Sequence, residues 1–254
     1  MEKPRVALTL MRVPIHDVTM DETIAWVSYW IAHGQSAQIA TVNPEFLMRA
    51  RQDIDFEAVL NRAALCIPDG IGIVWAARLR GSPLRERVTG SDLVPRLARE
   101  ASEHGWRVFF LGAAPGVAQT AASILAKRHP ELQIAGCHAG SPAPEEEAEI
   151  IKKVKEARAD LLLVAYGAPK QDLWLARNLK YTGATVGIGV GGSFDFLAGV
   201  SRRAPRWMQR IGLEWLHRLI QEPGRWRRQM ALPRFAWLVL TGQDRPTPSL
   251  EDPR

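Results

Sequence analysis

Short apolar runs alternate with amphipathic stretches along the first 200 residues of the chain. The runs at 6–10, 38–42, 65–67, 107–111, 132–137, 160–165 and 185–190 predict strands. Several are apolar throughout, as expected of strands covered on both faces. Between them, apolar residues recur at helical spacing over 21–33, 44–61, 70–79, 91–103, 115–128, 144–157 and 170–178. Pro115 and Pro144 stand in the first turn of their helices, where a missing N–H costs little. The alternation predicts an α/β fold: a mainly parallel sheet with helices on both faces, the Rossmann-like arrangement. Ligands of such sheets bind beyond the carboxyl ends of the strands.

Near residue 201 the texture changes. Strand patterns stop, and arginine and tryptophan rise. The stretch 212–221 reads as helix, Pro223-Gly224 breaks it, and 225–231 resumes it. The expected organisation is an α/β body over 1–200, a basic helical appendage over 201–240 and a flexible tail over 241–254, rich in Pro, Asp and Thr.

Composition narrows the class. With 254 residues, 46% apolar and 24% charged, the chain can bury a sizeable core without disulfides or a structural metal. Cys66 and Cys137 sit inside apolar runs and read as buried thiols, which fits a reducing compartment. There is no CxxC and no Cys/His cluster. No apolar run approaches the roughly 20 residues of a spanning helix, and the N-terminus lacks the apolar core of a signal peptide. A soluble or peripheral protein is expected. Charge is placed unevenly. Nine arginines stand against two acids between 201 and 240, together with four of the nine tryptophans, so this segment carries all of the net +6. Such asymmetry points to an anionic partner: phosphate, lipid headgroup or nucleic acid.

Polar residues cluster where strands end. Thr41 and Asn43 close one strand before Pro44. Asp69 follows Pro68 and precedes Gly70; it can cap the next helix, or stand over a pocket as a general base. Arg87 lies in Arg-Val-Thr-Gly-Ser-Asp, either a surface cation or a forked donor for an anion or sugar. Residues 110–117 form a strand, a glycine turn and a helix start, which can bind phosphate through backbone N–H groups or serve only as a tight turn. Gln171 falls in the first turn of a helix at the same rim, and Asp195 follows the strand that ends near 190. The glycines of 187–192 match GxGxxG formally, but they alternate with Ile and Val as in a strand. No acid follows about 20 residues on to hold a ribose, so a dinucleotide site is not expected. Asp53-Ile-Asp55 is a formal DxD, but it lies in an amphipathic helical stretch; no metal site and no cofactor are expected. Arg218, Arg225 and Arg228 are spaced seven and three apart, which in a continuous helix puts them on one face; Pro223-Gly224 blurs that geometry, and the choice is between a solvated basic face and a surface for anionic lipid or diphosphate.

Taken together, the stretches 41–46, 68–70, 87–92, 110–113, 167–172, 189–196, 203–209 and 212–219 resemble the WecG/TagA/CpsF family of bacterial glycosyltransferases, in unbroken order over roughly residues 10–230. The resemblance implies an inverting, metal-independent enzyme that takes UDP-N-acetylmannosamine or its uronic acid. Its acceptor would be N-acetylglucosamine on a polyprenyl diphosphate, at the cytoplasmic face of the cell membrane. It implies Asp69 as base with Arg87 as its catalytic partner. Thr41, Asn43, Arg87 and Gln171 would line the sugar pocket, and Asp195 would lie near the nucleotide. Arg218, Arg225 and Arg228 would close over the site from the appendage, which also meets the anionic membrane. A homo-oligomer is left open.

Two rival readings remain at this level. The Arg/Trp segment could bind single-stranded nucleic acid, although the body shows no nucleic-acid module and none is expected as partner. The 187–192 glycines could serve a nicotinamide-dependent dehydrogenase, against which stands the missing ribose acid.

Overall fold

The structure, a computed structural model, describes residues 3–244 apart from the side chains of Arg210 and Arg225. The chain opens with an antiparallel ribbon of β1 (Val6–Leu10) and β2 (Val13–His16). Met11 and Arg12 join them, both at positive φ (49° and 69°), as a two-residue turn that follows the strand twist requires. No glycine or asparagine marks this turn, so β2 is invisible in the sequence pattern. The other strands are β3 (Ala37–Val42), β4 (Leu65–Pro68), β5 (Arg107–Gly112), β6 (Gln133–His138), β7 (Leu161–Ala165) and β8 (Val186–Gly189). They form one parallel sheet in the order β4-β3-β8-β7-β5-β6.

The helices up to residue 200 are α1 (Met20–His33), α2 (Pro44–Ala50), α3 (Ile54–Arg62), α4 (Ile71–Leu79), α5 (Gly90–His104), α6 (Val117–Arg128), α7 (Pro144–Glu156), α8 (Lys170–Thr182) and α9 (Ser193–Leu197). Beyond them come α10 (Arg206–Arg210), α11 (Glu214–Gln221), α12 (Trp226–Gln229) and α13 (Ala231–Leu240). Side-chain alternation along the strands feeds two faces. Phe110 points into the cluster with α1, α5, α6 and α9, while Phe109 and Leu111 point to α7 and α8. A third cluster joins the ribbon, α2, α3, α4 and β3, and α13 places Phe235, Leu238 and Val239 in it. The expected single helix over 44–61 is two. Asp53 interrupts it and caps α3, its Oδ1 accepting from Phe56 N–H at 3.1 Å.

This topology decides where a ligand can sit. β3 and β8 are neighbours, yet the chain leaves β3 toward α2 on one face and leaves β8 toward α9 on the other. The diverging loops open a crevice at the carboxyl ends of the two strands, as at the switch point of other parallel sheets.

Candidate active site

Two adjoining cavities of about 260 and 200 Å³ fill this crevice and share Asn43, Asp69, Ser91, Arg218 and Arg228. Thr41, Gln171 and Asp195 line the first, and Arg87 the second. Eight of the nine residues nominated from the sequence therefore meet in one place. The side chain of the ninth, Arg225, lies outside the described residues.

Asp69 leaves β4 at Pro68, its N–H bonded to Val42 O at 2.8 Å. It does not cap α4, whose N-cap is Gly70 with no side-chain bond. Instead its Oδ2 accepts from the N–H of Gly90 at 3.2 Å, at the start of α5. Burial pushes this carboxyl up to about 7; the Gly90 N–H opposes the rise, Glu214 adds to it, Arg87 opposes it and Asp92 adds to it. Such a group exchanges a proton near neutrality.

The rest of the rim is held in position by its own hydrogen bonds. Thr41, buried at the end of β3, donates from Oγ1 to Gly189 O at 3.0 Å and ties β3 to β8. Asn43 caps α2 by accepting from Phe46 N–H at 3.0 Å, which leaves its amide N–H donors for a ligand. Gln171 is buried, and its Oε1 accepts from Gly167 N–H at 3.1 Å and Gly191 N–H at 3.0 Å. One side-chain oxygen thus fixes both the β7–α8 and the β8–α9 loops. The glycines of β8 have a packing cause: a Cβ on Gly187 would come 2.6 Å from Leu175, and one on Gly189 2.5 Å from Gln171. The 112–117 turn does not line either cavity.

Arginines of the C-terminal helices complete the lining. Arg218 of α11 lies 5.3 Å over the Phe196 ring and against Gly192, where a Cβ would come 2.5 Å from its Nη2. Arg228 of α12 pairs with Glu45 at the mouth. The interruption expected at Pro223-Gly224 is present, and no single helix carries both arginines. α11 ends at Gln221, a 3-10 turn over Pro223–Arg225 redirects the chain, and Arg228 stands on a separate short helix. The Pro-Gly break brings the two arginines to one cavity by turning, not by helical spacing.

Residues without a role in the sequence reading complete the site. Arg203 bridges Asp92, at 2.5 and 2.8 Å, and Glu214, at 3.1 Å, while Glu214 also lies 3.5 Å from Arg87. Arg203 holds the Asp92 carboxyl below its usual range. This lattice fastens α11 to the start of α5 and surrounds Asp69 with compensating charge. Its members stand inside conspicuous motifs, but nothing in their spacing pairs residues more than a hundred positions apart. Among the described residues no three His, Cys, Asp or Glu side chains converge as a metal-ligand set, and no helix is long and apolar enough to cross a membrane.

A carboxyl group titrating near neutrality, polar side chains and arginines lining one crevice suit proton removal from a hydroxyl together with stabilisation of a departing anion. Comparison with known proteins agrees with that chemistry. The sequence profile described as "Glycosyl transferase WecG/TagA/CpsF family" matches residues 8–247. The chain is 35% identical over 228 residues to the N-acetylglucosaminyldiphosphoundecaprenol N-acetyl-beta-D-mannosaminyltransferase of Bacillus spizizenii, covering 88% of each chain. It is 34% identical to the Bacillus subtilis protein of the same name, over 91% of this chain and 90% of that one. It is 28% identical to the Staphylococcus aureus protein of that name, over 91% of each. A profile match spanning nearly the whole chain, carried by relatives that are themselves sugar transferases, places it: the chain belongs to the WecG/TagA/CpsF family of glycosyltransferases.

Proposed function

We propose that this enzyme moves N-acetylmannosamine, or its uronic acid, from a UDP-sugar to N-acetylglucosamine carried on a polyprenyl diphosphate, with inversion and without a metal ion. The observation that carries the reading is the Asp69 carboxyl, raised to about 7 in the same crevice as Arg87, Arg218 and Arg228. The printed names of the relatives, N-acetylmannosaminyltransferases acting on an N-acetylglucosaminyl diphospholipid, support the sugar and the acceptor.

In one displacement the acceptor hydroxyl oxygen bonds to the anomeric carbon while the bond from that carbon to the UDP oxygen breaks. Asp69 takes the hydroxyl proton and later releases it to water. UDP leaves with its electron pair, and Arg218 and Arg228 face the charge that develops. Thr41, Asn43 and Gln171 shape the sugar pocket, and Asp195 stands toward the nucleotide. Trp207, Trp215, Trp226 and Trp237 are all exposed, which together with the surplus of arginine supports docking on an anionic bilayer at the cytoplasmic face.

Thermal shift with UDP, UDP-N-acetylmannosamine, UDP-N-acetylglucosamine and UDP-glucose tests the donor. Transfer to a short water-soluble acceptor, with and without EDTA, tests the reaction. The N-acetylmannosamine donor should raise the melting temperature and support transfer that EDTA leaves intact. Transfer from another donor would overturn the sugar. Loss on chelation, restored by magnesium or manganese, would overturn the metal-free mechanism and direct attention to Asp53, Asp55 and Asp195.

A further inference from the structure

The acceptor proposed above is amphipathic, and its apolar chain must leave a polar crevice by some route. Two further cavities adjoin the crevice. One, of about 660 Å³, is lined by Arg49, Arg227, Arg228 and Arg234 among others, and hydrocarbon there would strip water from charges. The other, of about 610 Å³, lies between α4 and α13 and has no charged side chain in its lining. Its walls include Trp75 and Leu79 of α4, Ile211 and Trp215 around α11, and Ala236 and Leu240 of α13. At its inner end it shares Ile71, Gly212 and Trp215 with the cavity that holds Asp69, Arg87 and Arg218. At its outer end Trp75, Leu79 and Leu240 are 60%, 62% and 72% exposed. A contiguous apolar surface of this kind marks a site that meets lipid or another apolar partner, and its volume is that of a ligand site.

We infer that this groove seats the first isoprenoid units of the acceptor, running from the diphosphate beside the arginines out past Trp75, Leu79 and Leu240 to the bilayer. The inference rests on the acceptor reading above and adds to it a defined path for the lipid. Continuity selects this occupant. The groove opens into the reaction cavity at one end and onto exposed tryptophan and leucine at the other, as a chain joining a catalytic crevice to a membrane requires. The groove also grades the acceptor. A chain long enough to fill it gains apolar burial that a short one lacks, so KM should fall as prenyl units are added and level off once the groove is full.

The test uses the full chain and two acceptors that share the N-acetylglucosaminyl diphosphate head, one with a short water-soluble alkyl tail and one with a long prenyl tail in detergent micelles. Leu79→Glu puts a charge at the outer end, and Ala236→Trp fills the middle. Each should raise KM for the prenyl acceptor about tenfold, the worth of roughly two buried methylenes, and leave kcat and KM for the short acceptor unchanged. Trp75→Ala, at an exposed position, repeats the test if Ala236→Trp does not fold. Equal effects on both acceptors, or none on the prenyl one, would overturn the inference. So would variants that turn an oligomer into a monomer in sedimentation while the prenyl KM stays put, since the groove would then be a contact between copies. Absence of transfer by the unaltered chain to either acceptor refutes the acceptor reading itself, an outcome separate from a lost preference for the long tail.

Discussion

Replacing Asp69 by Asn should impair catalysis and stabilise the fold at once. In the folded protein this carboxyl is raised from an ordinary 3.8 to about 7, chiefly by burial. Between roughly pH 4 and 7 the native chain therefore keeps a proton that the unfolded chain releases, and stability falls as pH rises through that window. Above about 7 both states are ionised and the full cost remains; below about 4 both are protonated and there is none. A displacement of this size is worth at most about 4 kcal/mol. Asp69 is partly open to the crevice, where water relaxes around it, so the measurable part is smaller. Asn cannot ionise, and its Oδ1 can still accept from Gly90 N–H. The variant should melt several degrees above the parent at pH 8, with the gap closing toward pH 4. Its turnover should fall by about 10²-fold or more. The parent's kcat/KM should climb with pH to a plateau just above 7, and the residual rate of the variant should lack that step. The assay pairs melts across pH 4–8 with transfer to a soluble acceptor. A variant that turns over normally, or that melts lower at pH 8, would refute the assignment.

Three further outcomes follow from the geometry. Arg218→Ala with Arg228→Ala should lower turnover on a soluble acceptor by about 10²-fold or more while the remaining Arg and Trp still hold the protein on anionic vesicles; transfer at the full rate would mean that these arginines serve only the membrane. Gln171→Ala strands the N–H groups of Gly167 and Gly191, each costing about 1–3 kcal/mol, so the melt should fall; an unchanged melt for the alanine variant contradicts the tie. Phe235→Ala should cost about 3–5 kcal/mol because α13 is part of the core, whereas Trp237→Ala, 64% exposed, should leave the melt alone and weaken vesicle binding; equal melts for the two would be inconsistent with this packing.

Much of the fold is legible in the sequence because local rules and tertiary demands agree. Apolar runs covered on both faces became β3, β5, β7 and β8, and the amphipathic stretches between them became helices. Strand ends also announce where polar residues gather, since parallel strands all deliver their carboxyl ends to one rim. The pattern misled where a short-range signal was missing or ambiguous. Nothing at Met11-Arg12 advertises a hairpin. The 44–61 periodicity runs through the cap at Asp53. The break at Pro223-Gly224 is plain in the sequence, but not the direction in which it turns the chain.

By itself, then, the sequence determined the α/β class, the sheet's parallel character and the short list of rim residues, because periodicity and βα order are local properties of the chain. Only the tertiary structure decided which neighbours those residues have. Strand order put β3 beside β8, so that loops departing to opposite faces opened the crevice. Folding brought Gly90 N–H to Asp69, fixed two loops on the single oxygen of Gln171, and closed the lattice of Arg203 with Asp92 and Glu214. It also drew α13 into the core and left an apolar groove beside α4. The physical reason is the same in each case. Desolvation, long-range charge pairing and packing act between residues distant in sequence, and no window along the chain contains both partners.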